Sequence, residues 1–134
     1  MTIGEIKKSA LKMMFTNQDN EIDSLDMESL YDDSNYGDYL NNMYDCINRA
    51  IIRLKSKGVE YTGGRITKDT SDDTELELEW ELCEAIAYFI KGELYEEDKV
   101  QEATMAKNYF EDFVDDWLST KVNTTVDVVF EMDV

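Results

Sequence analysis

The longest helical pattern in the chain lies at residues 36–57. Apolar side chains recur there at steps of three and four residues, which places them on one face of a helix. They are Tyr36, Tyr39, Leu40, Met43, Ile47, Ala50, Ile51 and Leu54. Three cations near the end of the segment are stabilised by the negative pole of the helix dipole. Gly58 follows at the position where a helix commonly ends in glycine. A long helix with one apolar face must pack against other elements, so the pattern predicts a helical core.

Three more segments carry helical patterns. Thr2 and Glu5 have the spacing of a capping box and predict a helix at about residues 3–15. Two apolar stripes at residues 79–95 predict a central helix that is buried on most of its circumference. A further helix is predicted at residues 98–118. The predicted core is Ile6, Leu40, Met43, Ile47, Ile51, Leu54, Cys83, Ile86, Ala87, Ile90, Phe110, Phe113 and Trp117.

The remaining segments are less regular. Residues 16–33 are acidic and without a clear period, which predicts a loop with about one short helical turn around residues 25–31. Residues 59–73 are irregular or form a hairpin around two glycines. At residues 124–133 apolar and polar side chains alternate, which predicts a β-strand. That strand needs a partner, either in the hairpin or in a neighbouring subunit.

The predicted fold class is mainly α. We expect one domain over residues 1–134, built as a four-helix bundle-like core with a short β-hairpin or loop in the middle and a C-terminal β-strand. A chain of 134 residues buries enough surface to fold without a disulfide or a metal. Cys46 and Cys83 lie in apolar segments and are predicted to be buried free thiols in a reducing compartment.

Composition excludes several classes of function. The chain has no histidine, which removes the commonest metal ligand and the commonest general base. We find no nucleophile–base pair, no phosphate-binding loop and no cysteine spacing for zinc. The prediction is therefore no catalytic residue, no metal, no cofactor and no enzymatic turnover. No segment approaches the ~18 apolar residues of a membrane span, and residues 1–10 lack the pattern of a secretory signal.

The acidic corner at residues 92–103, GELYEEDKVQEA, lies between two predicted helices. Carboxylates near the start of a helix are stabilised by the positive pole of its dipole. A carboxylate cluster for a metal is the alternative, but metal sites in helical bundles usually combine glutamate with histidine. We interpret the corner as a helix-to-helix turn.

Charge is segregated along the chain. The net charge is −18 at pH 7; residues 13–48 contain nine carboxylates and no lysine or arginine, while residues 49–68 contain six of the thirteen basic residues. A solvated acidic loop beside a basic helix end is one interpretation. The other is a head-to-tail contact between subunits. The candidate contact residues are Arg49, Arg53, Lys55, Lys57, Arg65, Lys68, Val126, Val128, Phe130 and Met132.

Three phrases together resemble a known family. They are TIGEIKKSALKMMF, YGDYLNNMYDCINRAIIRL and AIAYFIKGELYEEDKVQEATMAKNYFEDFVDDW. They are similar to phrases in the small, mostly helical head–tail connector (adaptor) proteins of long-tailed bacteriophages and prophages. In that family, a helix that ends in a phrase like YFIKGELYEED packs on the helix that follows it.

The resemblance implies a structural virion protein. Such proteins assemble into a ring, commonly dodecameric, beneath the phage portal protein, where the genome passes through the channel without specific binding. The next connector or tail-completion protein then attaches to the ring. The resemblance places the chain at the head–tail junction of the virion, and in the host cytoplasm during assembly, with no membrane partner.

A second function from another class fits the composition. A small protein at −18 presents carboxylates as a DNA duplex presents phosphates, and so it is also typical of an acidic DNA mimic that inhibits a nucleic-acid-binding protein. Oligomeric state discriminates the two hypotheses, because a mimic acts as a monomer or dimer and a connector forms a ring.

Overall fold

The computed structural model describes the backbone of residues 1–133 and the side chains of residues 1–121. Within that range the chain is mainly helical, as predicted. Six α-helices and one 3-10 turn at Thr16–Gln18 are present: α1 Ile3–Met14, α2 Asp19–Ser24, α3 Met27–Asp32, α4 Gly37–Ser56, α5 Trp80–Leu94 and α6 Val100–Asp133. The predicted first, second and third long helices correspond to α1, α4 and α5, with ends within one residue of those expected.

Helix α5 lies at the centre of the bundle. It packs against α1, α4 and α6, so its two apolar stripes face different neighbours. Leu82, Cys83, Ile86 and Ile90 are all buried on this helix. Burial on several sides explains why its sequence is apolar around most of the circumference.

The predicted core is buried except for two residues of α6. Phe113 and Trp117 are half-buried, while the other predicted core residues are buried. The inner face of α6 instead runs through Ala103, Phe110 and Val114. A step of four residues from Phe110 reaches Val114, so Phe113 and Trp117 lie towards the edge of that face.

Two helix ends have the predicted caps. The Thr2 hydroxyl accepts a hydrogen bond from the Glu5 backbone N–H at 3.1 Å, and the Glu5 carboxylate accepts one from the Thr2 N–H at 2.8 Å. At the end of α4, Gly58 has φ 103°. The N–H of Val59 donates to the Leu54 carbonyl at 3.0 Å, and the Gly58 N–H donates to the Lys55 carbonyl, also at 3.0 Å. This pair of bonds is the Schellman arrangement that the Gly58 stop predicts.

Residues 16–33 are more helical than the sequence predicts. The short helices α2 and α3 each bury one apolar side chain, Ile22 and Leu30. Asp26 caps α3, because its carboxylate accepts a hydrogen bond from the Ser29 N–H at 2.8 Å. One anchor in each six-residue helix gives no readable period, which is why the pattern suggested a loop.

Of the two alternatives for residues 59–73, the irregular segment is confirmed and the β-hairpin is wrong. The side chain of Asn48 on α4 takes the hydrogen bonds that a partner strand would use. Its Oδ1 accepts from the Ile66 N–H at 2.9 Å, and its Nδ2 donates to the Ile66 carbonyl at 2.6 Å. Ile66 is buried, so the loop is held against α4 by both its backbone and its side chain.

The predicted C-terminal strand is also wrong. Helix α6 extends without a break to Asp133 and includes residues 124–133. Within residues 1–133 there is no sheet for such a strand to join, only an isolated bridge between Thr2 and Glu75. A helix satisfies its backbone hydrogen bonds internally, whereas a lone strand does not. The side chains of the predicted contact residues Val126, Val128, Phe130 and Met132 lie outside the described residues.

Candidate functional site

The six predicted basic contact residues divide into two sets. Arg49, Arg53 and Lys57 form ion pairs within the molecule. Lys55, Arg65 and Lys68 are exposed and form no ion pair with any side chain of residues 1–121. The first set therefore has a structural role, and the second set is available to a partner.

Arg53 and Lys57 join the end of α4 to α6. The Arg53 Nε and Nη2 atoms both lie 2.8 Å from Glu111 Oε1. Lys57 Nζ lies 2.9 Å from Glu111 Oε2 and 2.6 Å from Asp115 Oδ1. Burial alone would raise the pKa of Glu111, but the two cations outweigh it and lower this pKa. The hydrogen bond to Asp115, together with the ion pair to Glu111, raises the pKa of Lys57.

Arg49 lies one turn before Arg53. Its guanidinium pairs with Asp45 on α4 and lies 3.8 Å from Glu93 Oε1 on α5. Burial raises the pKa of the neighbouring Cys46 thiol to about 11, so this thiol is protonated at neutral pH. Cys46 and Cys83 are both free and buried, as predicted.

A groove of about 310 Å³ lies between the second half of α4 and the irregular segment at residues 59–73, which we call the central loop. Cations line it at Arg49, Lys55 and Arg65, and a carboxylate lines it at Asp45, which pairs with Arg49. Its apolar lining is Ile51, Ile52 and Tyr61. We call this surface the basic groove. Ile52 is 66% exposed, although Ile51 beside it is buried in the core. The groove therefore combines positively charged side chains with an exposed apolar side chain.

Residues 19–33 form a surface of opposite charge, which we call the acidic surface. Its exposed carboxylates are Asp19, Glu21, Asp23, Asp26, Glu28 and Asp32. Only Asp23 has an ion pair with a described side chain, at 3.0 Å from Lys12 Nζ. Among the side chains of residues 1–121, no ion pair joins the acidic surface to the basic stretch at residues 49–68.

The acidic corner at residues 92–103 is a turn between α5 and α6. Tyr95 is buried there, and its hydroxyl donates to the Met14 carbonyl at 2.8 Å, which ties the corner to α1. Burial raises the pKa of Tyr95 to about 12. Glu96 pairs with Lys107 at 3.4 Å. The corner therefore has a clear structural role in connecting and fixing the two helices.

The sequence did not reveal a buried ion pair between α1 and the central loop. Lys7 is 5% exposed; its ammonium group donates to Asp72 Oδ1 at 2.8 Å and to the Tyr31 hydroxyl at 2.7 Å. Lys7 follows Ile3 by four residues and so falls on the apolar face of α1. A lysine on an apolar face is the sequence signal that could have revealed this buried ion pair. Ile52 has a comparable signal for its exposure, because it lies off the apolar stripe of α4.

Comparison with protein-family models, with curated proteins and with solved structures finds no match for this chain. Among the helices of the described residues, none is long and apolar enough to cross a membrane. Within the same residues, no group of three or more cysteine, aspartate or glutamate side chains is placed to hold a metal ion.

Proposed function

We propose that this chain is a structural virion protein, a head–tail connector (adaptor) that forms a ring beneath the portal of a long-tailed bacteriophage or prophage. The ring extends the DNA channel and presents a surface for the attachment of the next connector or tail-completion protein. The proposal rests on the resemblance of three phrases to that family and on the way in which those phrases fold.

The observation that carries the proposal is the packing of α5 on α6. The phrase YFIKGELYEED covers the end of α5 and the turn that follows, and the helix after it packs back on α5. Phe89 meets Phe110 edge to face with ring centroids 5.0 Å apart. A methyl group at Gly92 would lie 2.5 Å from Lys107 Cγ, so glycine permits the close approach of the two helices. This helix pair agrees with the arrangement that the resemblance implies.

The charge of the chain supports a role beside DNA. A net charge of −18 repels phosphate groups, so a ring of such subunits lets DNA slide through without adhering to the wall. The same charge would suit a DNA mimic. The proposed connector differs from a mimic in that it must bind the portal and further copies of itself.

Binding to the portal tests the proposal. The full-length chain would be mixed with the purified portal protein from the same gene cluster, and the complex would be isolated by sedimentation and imaged by electron microscopy. A connector gives an added ring of density on one face of the portal. A chain that stays off the portal, and that instead competes with DNA for a basic DNA-binding protein, would refute the connector and support the mimic.

A further inference from the structure

We propose that the basic groove of one subunit receives the acidic surface of a second copy of this chain, and that this contact joins neighbouring subunits. The inference rests on the proposed function, because it assigns the lateral contact of the connector ring. It commits the groove to one occupant, residues 19–33 of the adjacent copy.

The first support is charge. Lys55 and Arg65 line the groove without an ion pair to any described side chain, in a chain whose net charge is −18. The acidic surface carries six exposed carboxylates, of which Asp23 alone is ion-paired with a described side chain. Two copies of a strongly negative chain repel each other unless such regions meet, so the charge also selects the register of the contact.

The second support is apolar surface. Exposed ion pairs contribute little affinity, so a stable contact also needs apolar burial. Ile52 is 66% exposed in the groove. On the acidic surface, Leu25 and Met27 are half-buried and flank Asp26. Each side therefore offers charge together with apolar side chains, which is the composition of a specific protein interface.

The third support is the position of the two surfaces. The acidic surface precedes α4 in the chain, and α3 packs against α4. Ile52 lies fifteen residues beyond Gly37, the first residue of α4, or about 22 Å along the helix at ~1.5 Å per residue. The two surfaces of one subunit are thus held apart. A contact between different surfaces of two copies is heterologous, and a heterologous contact builds a ring when the rotation between neighbouring copies closes.

The main test compares two double variants with equal loss of charge. Lys55→Gln with Arg65→Gln removes the two unpaired cations of the groove. Lys99→Gln with Lys121→Gln is the control, because both side chains are exposed, lie outside the groove and form ion pairs within their own subunit. Self-association would be measured by sedimentation velocity over a range of protein and salt concentrations. The groove variant should associate about tenfold more weakly than the parent, and the control should associate as the parent does.

A cross-linking test identifies the occupant. Copies with Ile52→Cys would be mixed under mild oxidation with copies carrying Ser29→Cys, since both positions are exposed and both natural cysteines are buried. We expect the mixed disulfide dimer to dominate. Dominant Ile52→Cys homodimers would mean that the groove faces itself, which would overturn the heterologous contact. Circular dichroism melting checks that each variant folds.

Binding to the portal separates this inference from the proposed function. If the parent chain does not bind the portal, the connector function fails, and the mixed disulfide still decides the subunit contact. If the groove variant binds the portal and forms the same ring as the parent, the connector function stands and the groove contact is refuted. If the groove variant self-associates normally but loses the portal, the occupant is the portal and the inference is equally refuted.

Discussion

Replacing Asn48 with alanine tests how the central loop is held on the bundle. Asn48 is 9% exposed, and its amide makes both hydrogen bonds to the backbone of Ile66, at 2.9 and 2.6 Å. Ile66 is itself buried. Removing the amide leaves a backbone N–H and a carbonyl of Ile66 without these partners.

The magnitude follows from those two groups. Leaving a buried donor or acceptor unsatisfied costs about 1–3 kcal/mol, so the two together cost roughly 2–6 kcal/mol. Alanine recovers about 0.6 kcal/mol through its higher helix propensity. The loop also relaxes towards water, which moves the cost to the lower part of that range. We expect Asn48→Ala to lower the free energy of unfolding by about 2–4 kcal/mol, which corresponds to a fall in Tm of roughly 10 °C in a domain of this size.

Asn42→Ala is the matched control. Asn42 lies on the same helix, is exposed, and donates one hydrogen bond to the Asp38 carbonyl at 2.8 Å. Its replacement should change stability by about 0.5 kcal/mol or less. Urea unfolding followed by circular dichroism measures both variants. Equal stabilities of Asn48→Ala and Asn42→Ala would refute the assigned role of the Ile66 contact.

Three further predictions concern stability. Ile47→Ala and Phe110→Ala should each cost about 2–5 kcal/mol in urea unfolding, and melting like that of the parent would contradict the core assignment. The pKa of Glu111 is lowered in the folded state, so the contribution of this carboxylate to stability is full above the unfolded pKa of about 4.3 and is lost as pH falls through the folded pKa. Glu111→Gln should therefore flatten the fall in the free energy of unfolding between about pH 5 and pH 3. Parallel pH curves for the parent and the variant would exclude a stabilising role of the Glu111 carboxylate. Gly58→Ala should cost about 1–2 kcal/mol, because Gly58 has φ 103°. Gly64→Ala should cost under about 0.5 kcal/mol, because the added methyl group meets open space and the φ of Gly64 is an ordinary one. Equal melting temperatures of the two variants would show that the backbone conformation of Gly58 is not the source of the cost.

The long helices were predictable because their signals are local. The capping box at Thr2 and Glu5 and the stop at Gly58 each involve residues three to five positions apart, and they place the ends of α1 and α4 correctly. The three- and four-residue period identifies the buried faces of α1, α4 and α5 for the same reason. Local propensity and packing agree in these segments, so the sequence pattern alone is sufficient.

The central loop and the end of the chain were not predictable because their structure depends on distant partners. Two β-prone runs around a glycine pair suggest a hairpin, but Asn48 supplies the hydrogen bonds from eighteen residues away in sequence. The alternation at residues 124–133 favours a strand only if another strand is present to pair with it. In the described part of the chain no such strand exists, and the segment continues α6.

The candidate site was predicted in part. The segregation of charge along the sequence indicated residues 49–68 as a contact region. Two residues of that region, Lys55 and Arg65, are exposed at one groove. The pairing of Arg53 and Lys57 with Glu111 and Asp115 was not foreseeable, since at least 54 residues separate each pair and only the folded bundle brings α4 and α6 together. The exposed Ile52, which lies off the apolar stripe of α4, completes the groove.

The number of chains bound to each portal ring tests the central claim most directly. The full-length chain would be added in excess to purified portal rings from the same gene cluster, and the complex would be weighed by native mass spectrometry. The connector function predicts one discrete species whose added mass is a fixed integral multiple of 15.6 kDa. The number of added chains should match the symmetry of the portal ring, which is commonly dodecameric. Portal rings that bind no chain, or that bind a broad distribution of copies without a closed ring, would contradict it.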